Sequence, residues 1–370
     1  MALDSSALEN FQEVSVITMK ISVRTSRRLE KAETILIRGT NWIGDAIMTL
    51  PAMAAIRRTF PQARISILVK PWVADIFSFC SDVDDIVLYP PHKGQYNLTN
   101  ALRMAKEIRG KRFDAAILLQ NAIEAAIIAF FGRIPIRAGY NSDARGFLLT
   151  HSVKRTKAIR RVHQVHYYLE MVKTLGCTGD YKEYHFHVPD TEKIIGRAIL
   201  KSCGVEQGKD FIGIAPGAAY GPAKRWFPER FAAVADRLTE EFGLGVVLFG
   251  SAADQETTKA ISRHARHPLV DLAGATTLKD AISIMAMCRL FISNDSGLMH
   301  VAGALGTPTL AIFGSTNPVA TSPIGENNII IHKDIPCSPC LKEVCPEDFQ
   351  CMDMITVDDV YGAAQCMLAR

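Results

Sequence analysis

From Thr34 onward the chain alternates short apolar runs with segments apolar at helical spacing, and it does so twice. "TILIR" (34–38), "ARISILV" (63–69), "DDIVLY" (84–89), "FDAAILL" (113–119) and "PIRAGY" (135–140) read as strands. Between them "DAIMTLPAMAAIRRTF" (45–60), "PWVADIFSFC" (71–80) and "LTNALRMAKEIRG" (98–110) read as helices, the last stopped by Gly110. Short buried strands separated by helices specify a parallel sheet covered on both faces. A long amphipathic helix (161–177) follows, and "TGDYKEYHFHVPDTEK" then breaks the pattern, placing a linker around 177–190. After a helix over 191–203, strands return at 211–217, 244–250, 267–272, 290–295 and 308–314, with helices between them and a last helix near 356–369. The expectation is an α/β chain of two doubly wound domains, 33–180 and 181–355, facing across a cleft. The helix 356–370 closes the chain. Residues 1–32 are expected to be a poorly ordered extension, and Met19 is a second candidate start.

At 370 residues the chain fits about two domains. Its 48% hydrophobic content supplies a full core. No apolar run reaches the roughly 18–20 residues that span a bilayer, and the N-terminus lacks the order of a signal peptide. A cytoplasmic protein is expected. Charge is uneven: residues 1–180 hold 25 Lys/Arg and 16 Asp/Glu, residues 181–370 hold 17 and 22. A basic half suggests a polyanionic partner; the alternative is ordinary surface variation.

Ligands of open α/β sheets sit at the carboxyl ends of strands, against helix N-termini. Four stretches stand there. "RGTNWIGDAIMTLPA" (38–52) has the outline of a phosphate loop, but Asp45 replaces the needed Lys. A carboxylate there suits a base, or a helix cap, with Asn41 and Trp42 offering polar and stacking contacts. "APGAAYGPAKRWFPERFA" (215–232) is a small-residue loop that leaves N–H groups open, with Lys224 able to neutralise an anion. "FISNDSGLMHVAGALGTPTLAIFGSTNP" (291–318) puts Asp295, Ser296 and Gly297 at a helix N-terminus, which favours a phosphate, and His300 one turn later. "HSVKRTKAIRRVHQVHYYLE" (151–170) has five basic residues in the eight from 154 to 161. Arg155, Arg160, Arg161 and His163 could grip a phosphorylated or carboxylated acceptor, or form a solvated face. No nucleic-acid fold accompanies them, so nucleic acid is not expected.

Of nine cysteines, Cys80, Cys177, Cys203, Cys288 and Cys366 read as core filler in a reducing compartment. Cys337, Cys340, Cys345 and Cys351 cluster in a Pro-containing loop, enough thiol for a structural zinc; a disulfide or free thiols are the other readings.

Together these stretches resemble the ADP-heptose:lipopolysaccharide heptosyltransferases, family 9 glycosyltransferases of the GT-B fold. The resemblance covers about residues 33–369. It rests on "IRGTNWIGDAIMTLPAMAAIRRTFP", "PGAAYGPAKRWFPERFA" and "SNDSGLMHVAGALGTPTLAIFGSTNP", in that order. The Gly-Pro-Ala-Lys-Arg-Trp form and the cysteine loop look most like the heptosyltransferase II branch. The resemblance implies two Rossmann-like domains, the first for the acceptor, the second for the nucleotide sugar. It implies inverting transfer of the second heptose from ADP-heptose to the inner core on lipid A, at the cytoplasmic face of the inner membrane. It implies no obligatory cofactor and a monomer peripheral to that membrane. Asp45 would be the base, and Lys224 would neutralise the leaving diphosphate. Asp295, Ser296, Gly297, Leu298 and His300 would hold ADP. Asp254 or Glu256 would bind the nucleoside. Ala219 and Tyr220 stand where some relatives carry hydroxyl side chains. Rival readings are a sister enzyme adding the first or third heptose or using another nucleotide sugar, a non-catalytic binding protein, and a metal or redox module.

Overall fold

The computed structural model describes residues 19–25, 28–90, 98–206 and 208–369. Residues 1–18 of the expected N-terminal extension lie outside them. The rest divides into two compact units, the division in the chain falling between Phe186 and His187.

The first unit is a seven-stranded sheet in the order β1-β7-β6-β5-β2-β3-β4. The strands are β1 (Ile21–Val23), β2 (Thr34–Arg38), β3 (Arg64–Val69), β4 (Asp85–Leu88), β5 (Ala115–Leu118), β6 (Ile136–Tyr140) and β7 (His151–Val153). β1 pairs antiparallel with β7, and all other pairs are parallel. So part of the predicted loose extension is an edge strand: Ile21 lies opposite Val153. Its three exposed residues gave no period to read. The helices are α1 (Ile43–Met48), α2 (Leu50–Thr59), α3 (Pro71–Phe77), α4 (Leu98–Lys111), α5 (Ile123–Phe131) and α6 (Gln164–Thr174). The single helix expected over 45–60 breaks at Thr49, because Pro51 has no N–H to continue the ladder. Leu36, Leu68 and Leu118 on the sheet pack against Met104 and Ile108 of α4 and Ala125, Ile128 and Ala129 of α5. The expected linker stays with this unit as far as Phe186. That residue bridges to Cys80, its ring meets Phe79 edge-on at 6.2 Å, and His185 Nδ1 lies 2.9 Å from Asp82 Oδ1.

The second unit is a six-stranded parallel sheet, β10-β9-β8-β11-β12-β13. Its strands are β8 (Phe211–Ala215), β9 (Gly245–Leu248), β10 (Val270–Asp271), β11 (Phe291–Asn294), β12 (Thr309–Phe313) and β13 (Asn328–His332). The helices are α7 (Asp190–Ser202), α8 (Pro228–Phe242), α9 (Gln255–His264), α10 (Leu278–Met285), α11 (Gly297–Ala304), α12 (Pro318–Thr321), α13 (Gln350–Asp353) and α14 (Val357–Leu368). The closing helix α14 is core: Val360, Tyr361 and Ala364 pack with Phe231 and Leu238 of α8 over Ile214, Ile292 and Ile312. Trp226 is fully buried, and its indole donates to the Ile355 carbonyl at 2.9 Å.

Six strands follow one plan in both units: β4-β3-β2-β5-β6-β7 and β10-β9-β8-β11-β12-β13. The order reverses between β2 and β5, and between β8 and β11. Adjoining crossovers leave to opposite sides there, which opens a crevice at the carboxyl ends. Among the described residues no helix is long and apolar enough to cross a membrane.

Candidate active site

In the second unit the reversal lies between β8, which feeds the loop 216–227, and β11, which feeds α11. Asn294 ends β11 with no exposed surface. Its amide donates to the Pro216 carbonyl at 2.6 Å and its oxygen accepts from Trp226 N at 3.1 Å. One side chain thus ties both ends of the loop to the sheet. Asn294→Ala would leave a buried N–H and a buried carbonyl unpaired, a loss of about 2–4 kcal/mol. Urea midpoints measure it, and a shift worth under about 0.5 kcal/mol would contradict the bracing role.

Within that frame Lys224 Nζ lies 2.6 Å from Asp295 Oδ2, with side chains 14% and 5% exposed. Thr316 Oγ1, beyond β12, donates to the same oxygen at 2.6 Å. Asp295 therefore accepts from a lysine and a threonine of its own chain. Ser296 caps α11, its Oγ accepting from Met299 N at 3.4 Å, and Ser293 Oγ stands 3.0 Å from it. Ser296, Gly297 and Leu298 are half-buried, while His300 is buried, 4% exposed. Tyr220 stands beside the lysine: its ring lies 5.1 Å from Lys224 Nζ and its hydroxyl donates to the Leu341 carbonyl.

The two nucleoside candidates part ways. Asp254 Oδ2 accepts from Ser251 N and Oγ at 2.9 and 2.7 Å, closing a capping box. Its carboxylate also abuts Gly217, where a Cβ would come within 2.3 Å. Glu256 is exposed at the start of α9, 3.8 Å from Lys259.

The cysteine loop straps the Lys224 loop. Ala223 N donates to Glu343 O at 3.0 Å, and Leu341 N to Ser315 O at 2.8 Å. Cys337, Cys340, Cys345 and Cys351 line one cavity of about 40 Å³. Among the described residues no three His, Cys, Asp or Glu form a group that could hold a metal ion, so the zinc set is not assembled. No disulfide joins them either. Burial raises the Cys351 thiol, and the three neighbouring cysteines add to that. The core-filler reading holds for Cys80, Cys177 and Cys288, whose thiols burial pushes up, but Cys203 and Cys366 are exposed. Both lie at helix C-termini, where an apolar neighbour in sequence is no guide to burial.

In the first unit the reversal lies between β2 and β5. Arg38, 1% exposed, ends β2 and donates to the Gly39 and Leu68 carbonyls and to Asn41 Oδ1. Gly39 N donates to Leu68 O, and a Cβ on Gly39 would lie 2.7 Å from Val69 Cγ1. The glycine is there for that close approach. Trp72 Nε1 donates to the Asn41 carbonyl at 2.7 Å, and Trp42 is 65% exposed. Asp45 is the third residue of α1, half-buried; the cap position belongs to Trp42, so Asp45 is not the capping residue. Buried Tyr168 lies near it: burial raises that phenol well above its usual range, and the Asp45 charge adds to the rise.

The basic stretch follows β7 at the same carboxyl edge. Arg155, Arg160 and Arg161 are exposed, and the Arg155 guanidinium lies 5.6 Å from the Tyr167 ring. His163 is instead 9% exposed and caps α6, its Nδ1 accepting from Val165 N at 3.2 Å. Sequence reasoning missed Asn294, Thr316 and Arg38, although all three are polar residues at or just past the end of an apolar strand.

The chain matches the family model described as Glycosyltransferase family 9 (heptosyltransferase) over residues 101–350. It is 31% identical to lipooligosaccharide heptosyltransferase 2 of Haemophilus influenzae, covering 80% of this chain and 88% of that one. Lipopolysaccharide heptosyltransferase 2 of Salmonella typhimurium is also 31% identical, over 80% and 87%. Among solved structures, the E. coli ADP-heptose lipopolysaccharide heptosyltransferase II aligns with a TM-score of 0.77 at 27% identity, covering 91% of this chain and 98% of that one. A family 9 glycosyltransferase from Veillonella parvula shares the fold, with a TM-score of 0.80 at 24% identity over 91% and 97%. The two doubly wound sheets are the GT-B fold class, and the chain belongs to glycosyltransferase family 9, the heptosyltransferases.

Proposed function

We propose that this glycosyltransferase moves L-glycero-D-manno-heptose from ADP-heptose to the lipopolysaccharide inner core, adding the second heptose with inversion. The relatives named for that second step support the heptose and the acceptor. The observation that carries the mechanism is the Lys224 amine set 2.6 Å from Asp295 beside the capped N-terminus of α11.

The acceptor hydroxyl oxygen attacks the anomeric carbon and gives its proton to Asp45. The bond from that carbon to the diphosphate oxygen breaks, and ADP leaves with the electron pair. Charge grows on the diphosphate as the sugar takes oxocarbenium character. Lys224 and the free N–H groups of α11 are fixed positive ends that meet this charge. Glu256 binds the nucleoside in this reading, which the engagement of Asp254 Oδ2 with Ser251 supports. Asn41, Trp42, Arg155, Arg160 and Arg161 serve the anionic acceptor, and the buried His163 shapes their loop. The reaction so written has one base, direct displacement and no obligatory cofactor. The enzyme acts as a monomer on lipid-anchored acceptor, peripheral to the cytoplasmic face of the inner membrane.

A donor–acceptor matrix tests this. ADP-heptose and other nucleotide sugars are paired with acceptors carrying zero, one and two heptoses. ADP-heptose with the one-heptose acceptor should exceed every other pair by at least about tenfold in kcat/KM. A preference for zero or two heptoses would move the enzyme to a sister step. Preference for another sugar would overturn the donor.

A further inference from the structure

The carboxyl edge of β2, β3, β4 and β5 holds a polar group that the transfer chemistry leaves unused. Lys70 follows β3, half-buried, with its amine 3.7 Å from the centroid of the Tyr89 ring and 3.3 Å from the Pro90 carbonyl. Tyr89 follows β4, and its hydroxyl donates to Glu124 at the start of α5. The Arg38 guanidinium lies 5.6 Å from the same ring. The four groups thus cluster beside the reversal between β2 and β5.

Two features point to a ligand. The first is charge. Arg38 and Lys70 bring two cations against one carboxylate, Glu124, which already holds the Tyr89 hydroxyl. The second is incomplete hydrogen bonding. Arg38 Nε and Thr40 Oγ1 on the β2 side, and Gln120 Oε1 on the β5 side, are buried without a partner among the described residues. Arg38 and Thr40 are 1% and 4% exposed. Buried polar atoms are rarely left unpaired, and exceptions mark places a ligand or ordered water completes.

We propose that this crevice is an acceptor subsite, in which Lys70 binds an anionic substituent, carboxylate or phosphate, of the sugar that receives the heptose. The proposal rests on the transferase reading above. Stacking on Tyr89 presents the amine while the ring shields one side of it from water, and an ammonium over an aromatic face is itself stabilised. Trp72, half-exposed on α3, is bonded to the Asn41 carbonyl, and the Asn41 side chain accepts from Arg38 of the cluster.

The test compares wild type, Lys70→Gln and Lys70→Arg in the full chain. Calorimetry of the one-heptose acceptor without donor gives affinity, and steady-state transfer gives KM and kcat. Lys70→Gln should weaken acceptor binding and raise its KM by about 10–100-fold, as for loss of a charge-assisted hydrogen bond. kcat and the donor KM should stay within about twofold, and Lys70→Arg should recover most of the loss. Phosphatase-treated and carboxyl-amidated acceptors separate the two anions: the one that matters lowers wild-type affinity to the Lys70→Gln level. Equal affinity of wild type and Lys70→Gln for intact acceptor overturns the subsite, as does an equal penalty on acceptor lacking both anions. If no donor supports transfer, the transferase reading fails, while the calorimetric comparison still decides the subsite.

Discussion

A chain carrying Asp45→Asn should bind ADP within about twofold of wild type and lose transfer by about 10²–10⁴-fold, the span that a positioned base contributes. The amide is nearly isosteric, so the geometry of α1 persists while the proton acceptor is gone. A carboxylate in the first turn also interacts with the helix dipole, which is worth about 0.3–1 kcal/mol. The melting temperature should therefore fall only slightly, and a folding defect will not mimic the loss of turnover. The base is held firmly. Arg38 pins Asn41, Gly39 is packed against Val69, and Trp72 fixes the Asn41 carbonyl, all within the loop that leads into α1. Asp45→Glu keeps the carboxylate but moves it by about one methylene. It should retain measurable turnover below wild type, since proximity effects are steep in distance. ADP affinity by calorimetry and single-turnover rates check the pair. Near-normal turnover in Asp45→Asn would end the assignment of the base.

How much of this was legible in sequence follows from what period and strand-end residues encode. The long parallel strands are mainly apolar, so β2, β3, β5, β8, β11 and β12 stand out, and with them the loops they feed. Edge strands are different. β1 has three exposed residues that carry no period, so pairing alone makes it a strand, whereas the two-residue β10 falls inside the strand expected at 267–272. Thr49 breaks a helix that apolar spacing joins, because spacing does not register the missing N–H of Pro51. In the site, Asp45, Lys224 and Asp295 were visible as charged residues where strands end. The Lys224–Asp295 pair was not, because the two are 71 residues apart and only the adjacency of β8 and β11 brings their loops together. Lys70 was passed over for the opposite reason: a lysine between a strand and a proline reads as an exposed turn, and its stacking on Tyr89 depends on the pairing of β3 with β4.

Lys224→Ala should lower both stability and transfer, and a second substitution should separate the two. In the folded chain the Asp295 carboxylate is 5% exposed and meets Lys224 and Thr316. Removing the lysine leaves a buried charge with one hydroxyl donor, a situation that costs about 3–5 kcal/mol. The double variant Lys224→Ala/Asp295→Asn removes that uncompensated charge, so most of the stability should return. Transfer should not return with it. The cation that meets the leaving diphosphate is absent in both variants, and loss of one such group costs about 10²–10³ in kcat. ADP affinity should order the three proteins: highest in wild type, intermediate in the double variant, and lowest in Lys224→Ala, where a bare carboxylate faces the diphosphate. Urea denaturation, ADP calorimetry and single-turnover rates give the three readouts. Recovery of transfer together with stability in the double variant would make Lys224 a counter-ion for Asp295 only. Separation of the two would mean that the pair is structural in the resting enzyme and that Lys224 acts on the leaving group during turnover.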